Sequence, residues 1–359
     1  MKRKLAALLV LLGLATATQA AFARSRKTVR VAAVGHIVIG TDFPKEMQFL
    51  PPDDGQGLID HVAPLLRDAD LSLANLAAPL STRGTVKRFV DGVRRFAFRT
   101  PPRYAGVLQT LGLDTVLAAN NHILDFGPDA YDDTIALLDG LRIAHVGLVD
   151  QVSLRKVNGV RVAIIGFTQP YRPDFQSHHD LDVAADVVAR AAADCDVLIA
   201  LVHGGAEGKD QIHLRGGKEY AGAEYRGRPI ELAHRLVESG ADLVIGFGAH
   251  APRAMEWYGD RLIAYSLGNF LTYGPFDLHA PNYLSAVLQV TLDRRGELVD
   301  AQVVPLRLVF PGVPSFDPKG RAVSFIRRMS KADFPESPLT FLPDGTIRVQ
   351  TADPKLVVR

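Results

Sequence analysis

The chain has 359 residues, 47% of them hydrophobic and 22% charged, with a formal net charge of +2. That length and apolar share suffice for one large α/β domain or two small ones, and the near-zero charge argues against nucleic acid as a partner. A single cysteine, Cys195, excludes an intrachain disulfide; it stands before Val197-Leu198-Ile199 and reads as a small core residue.

In chain order, residues 1–23 read as a secretory signal. Lys2, Arg3 and Lys4 form its charged start, and the apolar run Leu5 to Leu14 is too short to span a bilayer. Thr18-Gln19-Ala20 and Ala21-Phe22-Ala23 are both cleavage sites of the expected kind; a retained membrane anchor is the alternative. Loss of the three positive charges at 2–4 takes +2 to −1. The expected location is periplasmic or extracellular. Thr28 to Gly35 is a buried strand ending in His36, and Leu58 to Arg67 has helical spacing. Asp70 to Ala74 is a second strand, ending in Asn75. Residues 81–98 are a polar, basic excursion. Pro101 opens a helix that Gly112 stops.

A central strand, Thr115 to Ala119, ends abruptly in Asn120-Asn121-His122. Asp125 follows three residues on, before a helix over Asp129 to Leu141. In open α/β sheets ligands sit beyond the carboxyl ends of strands, so Asn121 and His122 are expected to face a site. Asn offers an oxygen to a metal, His a nitrogen ligand or a proton donor, and Asp125 a carboxylate to orient the imidazole. The plain alternative is a strand-end turn. Ile143 to Gly147 is a strand, and Asn158-Gly159 marks a hairpin. Asp182 to Ala193 is helical. Asp196 to Val202 is a strand ending in His203, Gly204-Gly205-Ala206 and Glu207. A Gly- and charge-rich insertion covers 208–227. A helix over Ile230 to Ser239 leads to the strand Asp242 to Gly246 and then to His250. Further hairpins centre on Gly259-Asp260 and Arg295-Gly296, with Ser266 to Phe270 between them. Residues 318–332 read as a helix, and the tail holds one more short strand. Five strand ends thus carry polar residues at equivalent positions: His36, Asn75, Asn121-His122, His203 and His250. His178, His179, His213 and His279 sit in polar loops and read as solvated, and Ser266 reads either as a ligand contact or as a residue that holds a tight turn.

Several blocks carry a resemblance: Ala119-Asn120-Asn121-His122, Gly204 to Glu207 after His203, Gly240 to Gly246, and the longest, Ile263 to Phe270. In these blocks the chain resembles the CapA family of poly-gamma-glutamate capsule biosynthesis proteins, from about Val29 to Leu308. The resemblance implies a fold related to the calcineurin-like metallophosphoesterases, a four-layer αββα sandwich of mixed β-sheets in the α/β class. It implies one domain over 28–310, with 311–359 as a C-terminal extension packed on it. It also implies an anionic polymer or phosphoester as substrate and membrane-bound capsule synthesis proteins as partners.

Three positions depart from the family pattern. Gly35-His36 stands where the family has Gly-Asp, Asn75-Leu76-Ala77 where it has Asn-Leu-Glu, and Gly246-Phe247 where it has Gly-His. Divalent ions need anionic oxygens to offset their charge, so the resemblance implies a reduced site. One divalent ion, zinc or manganese, is expected in place of two, held by His36, Asn121, His203 and His250, with Asp42 or Glu207 as a possible carboxylate. His122 and Asp125 take the catalytic role, and Asn75, Asn120, Glu207 and Asn269 the substrate contacts. A metal-dependent hydrolase and a non-catalytic binding or assembly protein are both open, because fold does not decide function.

Overall fold

A computed structural model describes residues 27–350 apart from 46–48, 87–88, 91–92, 95–96 and 209. The signal segment and its cleavage sites lie outside the described residues. In chain order the main elements begin with β1 (Thr28–Val38), α1 (Pro64–Arg67), β2 (Leu71–Leu76), α2 (Gly106–Leu111), β3 (Thr115–Leu117), α3 (Pro128–Gly140) and β4 (Ala144–Val146). They continue with β5 (Ser153–Val157), β6 (Val160–Phe167), α4 (Leu181–Ala193), β7 (Val197–His203), α5 (Pro229–Glu238) and β8 (Leu243–Phe247). Then come β9 (Met255–Tyr258), β10 (Arg261–Ala264), β11 (Asn269–Thr272), β12 (Leu284–Asp293), β13 (Leu298–Val309), β14 (Val313–Phe316), α6 (Arg321–Asp333), β15 (Leu339–Phe341) and β16 (Thr346–Val349).

Two mixed sheets result. The larger runs β15-β16-β13-β12-β1-β2-β3-β4, with β11 on β1 and β14 on β13; the smaller runs β9-β10-β8-β7-β6-β5. The parallel strands are apolar on both faces because both are covered. Val31, Leu73 and Leu117 of the large sheet meet Val162, Ile199 and Ile245 of the small one. The other face of the large sheet packs Val34 and Val116 under Leu66, Leu108 and Leu138 of α1–α3. The other face of the small sheet packs Ile165 and Ala200 under Val188, Leu236 and Met329 of α4–α6. The layers are therefore helix, sheet, sheet, helix, as the resemblance implies. Among the described residues no helix is long and apolar enough to cross a membrane.

Two expected elements differ. The helix over Leu58 to Arg67 forms only from Pro64, because proline cannot donate within a helix and fits only its first turn. The central strand ends at Leu117 and not at Ala119. Beyond it the Asn120 side chain accepts from the backbone N–H of His122 and Ile123 at 3.1 Å and turns the chain out of the sheet.

Candidate functional site

Parallel pairing sets the site's floor. His36 on β1 lies in register with Asn75 on β2 and with Asn269 on β11. Phe247 on β8 lies in register with His203 on β7. The two sheets then bring these ends together. The His36 ring stacks on His250 with centroids 4.3 Å apart, and meets His203 edge-on at 5.6 Å. Gly35 is required here: a β-carbon on it would lie 1.9 Å from the Gly268 carbonyl, which accepts the His36 N–H at 3.0 Å.

Each predicted residue has a definite place. His122 holds its Nδ1 2.8 Å from Asp125 Oδ2, and that carboxylate also accepts the Phe98 backbone N–H at 2.9 Å. The imidazole is thus oriented by a carboxylate itself fixed from behind. His250 Nδ1 lies 2.9 Å from Asn269 Oδ1, and its backbone is in the left-handed region at φ 58°, which is uncommon for a non-glycine residue. Asn121 Nδ2 donates to Glu207 Oε1 at 3.3 Å. Above these residues opens a cleft of about 480 Å³, lined by His122, His250, Glu207 and Asn269 and walled by Phe98 and Phe276. The two phenylalanine rings stack at 4.9 Å.

His36 behaves as a tie and not as a ligand. Its Nε2 accepts the Gly248 N–H at 3.0 Å. Its Nδ1 faces the Asn75 side-chain Nδ2 at 2.6 Å, so both ring nitrogens are directed at N–H donors within the fold and not at an open ligand position. Ala77 and Phe247 are buried among apolar neighbours, and Asp42 is paired with Arg99 at 3.0 Å. His203 keeps a buried Nε2 with no hydrogen-bond partner, its Nδ1 being 3.4 Å from Gln169 Oε1. That orphan nitrogen is the feature of the cluster best suited to an ion. Among the described residues no three His, Cys, Asp or Glu side chains form a ligand group. The residues present do not fit the expected four-ligand site, because both His36 nitrogens are directed at the Gly248 and Asn75 N–H groups. Neither Asn75 nor Asn120 lines the cleft. Both are fully buried, and Asn120 donates to Leu76 O at 2.7 Å.

Burial keeps the cluster uncharged. Desolvation lowers His36 and His203 well below the ordinary histidine range, helped by the neighbouring His and Arg226 charges, and lowers His250, which Glu207 partly restores. His178, expected in solvent, is buried: its Nε2 donates to His203 O at 3.2 Å, and desolvation lowers it to about 3. A depressed histidine gives stability that is complete above the unfolded value of about 6.5 and is lost as pH falls towards the folded one. At pH 5 His178 alone is expected to cost about 2 kcal/mol. Urea midpoints at pH 7 and pH 5 check this. A His178→Asn variant with the same pH dependence as the native chain would remove the assignment.

The sequence reading missed the braces. Arg226 has no exposed side-chain surface. It donates to Glu207 Oε1 at 2.5 Å, to Glu224 at 3.3 Å and to the Tyr171 hydroxyl at 2.9 Å. Arg253 pairs with Glu219 at 2.8 Å, and Glu219 accepts the Ala206 N–H at 2.6 Å. The 208–227 insertion thus braces the loop that carries Glu207.

The comparisons bear on this geometry. Residues 30–273 match the family described as "Bacterial capsule synthesis protein PGA_cap". The chain belongs to this family. A PGA biosynthesis protein CapA of Bacillus subtilis is 26% identical, with 66% of this chain and 62% of that protein covered. A capsule biosynthesis protein CapA of Bacillus anthracis is 25% identical, over 79% of this chain and 69% of that one. The chain thus spans under two thirds of the Bacillus subtilis relative. A 5'-nucleotidase precursor from Thermus thermophilus is similar in structure at a TM-score of 0.46 and 16% identity, covering 80% of this chain and 56% of that one.

Proposed function

We propose that the chain is an exported accessory of capsule-type polymer synthesis whose strand-end cleft acts on an anionic polymer or phosphoester. Family membership supports the setting, as do the printed names of the Bacillus relatives. Membrane-bound synthesis proteins are the partners that setting implies. Export rests on the charged and apolar segment of residues 2–14; a native chain beginning at Ala21 or Arg24 on N-terminal sequencing is the expected result.

One observation carries the chemistry: His122 lines the cleft with its Nδ1 held by Asp125 at 2.8 Å. With the Nδ1 proton directed at the carboxylate, Nε2 is the basic nitrogen and serves as general base or, once protonated, as general acid. His122 takes a proton from the attacking water and Asp125 stabilises the imidazolium formed. His250 and Asn121 border the same space as polar contacts. The test is turnover of a chromogenic phosphodiester and of poly-γ-glutamate by the mature chain. His122→Ala is expected to lower kcat by about 10²-fold or more; unchanged kcat would overturn the role. A second reading is a binding or assembly protein without turnover. Ala77 and Phe247 favour it, because both fill expected ligand positions with apolar surface. Its mark is polymer binding with no hydrolysis by the native chain.

A further inference from the structure

Resting on the polyanion reading above, we propose that the solvent face of α6 is a second subsite for the same polymer, holding the carboxylates of a chain that extends out of the cleft. The cleft itself is poor in available positive charge. Arg226 is buried and committed to Glu207 and Glu224. Of the basic residues near it, Arg83 is paired with Asp133 and Arg99 with Asp42. A polyanion drawn to this face must find its cations elsewhere.

They stand on α6. Arg327, Arg328 and Lys331 are exposed on one helix with Arg321 half-buried beside them. Asp317 is buried and holds Arg321 at 3.1 Å, and Asp333 is buried against His213. Arg321 and Arg328 line a groove of about 340 Å³ whose opposite wall is Ala280, Pro281 and Tyr283. Arg328 lies over the Phe325 ring at 5.1 Å, so its guanidinium is supported without an anionic partner in that contact. The decisive feature is continuity. The loop that forms this wall begins at Pro275, Phe276 and Asp277, which line the cleft. Asn282 of the same segment lines the cleft while Pro281 and Tyr283 line the groove, so the two adjoin and a flexible polymer can occupy both. Linking the cleft to a cationic groove raises affinity with length, because the second contact is made at high effective concentration.

The probe is poly-γ-glutamate, short oligomers against long chains, titrated on the mature protein at low and high salt. Native affinity is expected to rise with length, and the rise to shrink with salt. The double variant Arg327→Glu/Arg328→Glu is expected to bind long chains roughly ten-fold more weakly at low salt and to lose the length dependence. Both sites are exposed, so an unchanged melting temperature confirms folding. Native and variant proteins with equal affinity for long chains overturn the α6 subsite and leave the cleft reading standing. A native protein that binds no poly-γ-glutamate of any length overturns both. Length-dependent binding of polyphosphate alone overturns the polycarboxylate assignment.

Discussion

Replacing Arg226 with methionine is expected to lower the unfolding free energy by about 3 kcal/mol. The guanidinium has no exposed surface, and it serves Glu207, Glu224, the Tyr171 hydroxyl and the Gly205 carbonyl at once. Methionine keeps much of the volume and supplies none of the donors. Two carboxylates are then left side by side without their cation. Each is 29% exposed, so water recovers part of the loss. That places the value at the low end of the range for broken buried pairs. Urea denaturation measures it, and a loss under about 1 kcal/mol would show that the cluster is not a structural brace. Glu207→Gln/Arg226→Met should recover part of the loss, since one of the stranded charges is gone. The functional consequence is local. Glu207 anchors Asn121 at 3.3 Å, so the cleft wall loosens even where the fold survives.

The sheets and the strand ends were legible in the sequence because they rest on local signals. Apolar runs end in polar residues at His36, Asn75, Asn121, His203 and His250, and Asn158-Gly159 fixes its own hairpin. The direction in which each side chain spends its hydrogen bonds was not legible. The Gly248 N–H that occupies His36 Nε2 comes from 212 positions away, and no spacing rule reaches that far. The same holds for Arg226, which lies in a segment that reads as a polar insertion and meets Tyr171 across 55 positions. His178 sits in a polar local sequence, yet its ring packs against Gly204 and Gly227 and reaches the His203 carbonyl. Composition reports what a segment is made of, and tertiary packing decides which of its polar groups lose water. Pro64 was a readable signal: it marks where the first helix begins, and the apolar spacing before it masks that boundary.

Without metal, the triple variant His36→Asp/Ala77→Glu/Phe247→His is expected to be roughly 5 kcal/mol less stable than the native chain. Phe247 is packed in the core between the two sheets, beside His36 at 6.2 Å. Histidine there leaves unfilled space and brings in a polar ring. Glu at 77 places a carboxylate among Val38, Ala78 and Phe98, where it has no counter-charge. Asp at 36 lacks the reach of the imidazole and abandons the Gly248 N–H, which loosens the loop carrying His250. Two added carboxylates also repel one another and Glu207. A divalent cation answers each of these defects with charge. At a hundred-fold excess over Kd it should return about 2.7 kcal/mol, a rise in Tm of roughly 5 °C. The native chain has apolar groups at 77 and 247 and a His36 ring tied to Gly248 and Asn75, so its Tm is expected to move by less than about 1 °C in the same metal titration. Thermal melts of both proteins with and without zinc or manganese decide the matter; His36→Asp alone serves if the triple variant does not accumulate. A native chain stabilised as strongly as the variant would mean that His36 yields its nitrogen to the ion, and the tie from Gly248 would have to break on binding.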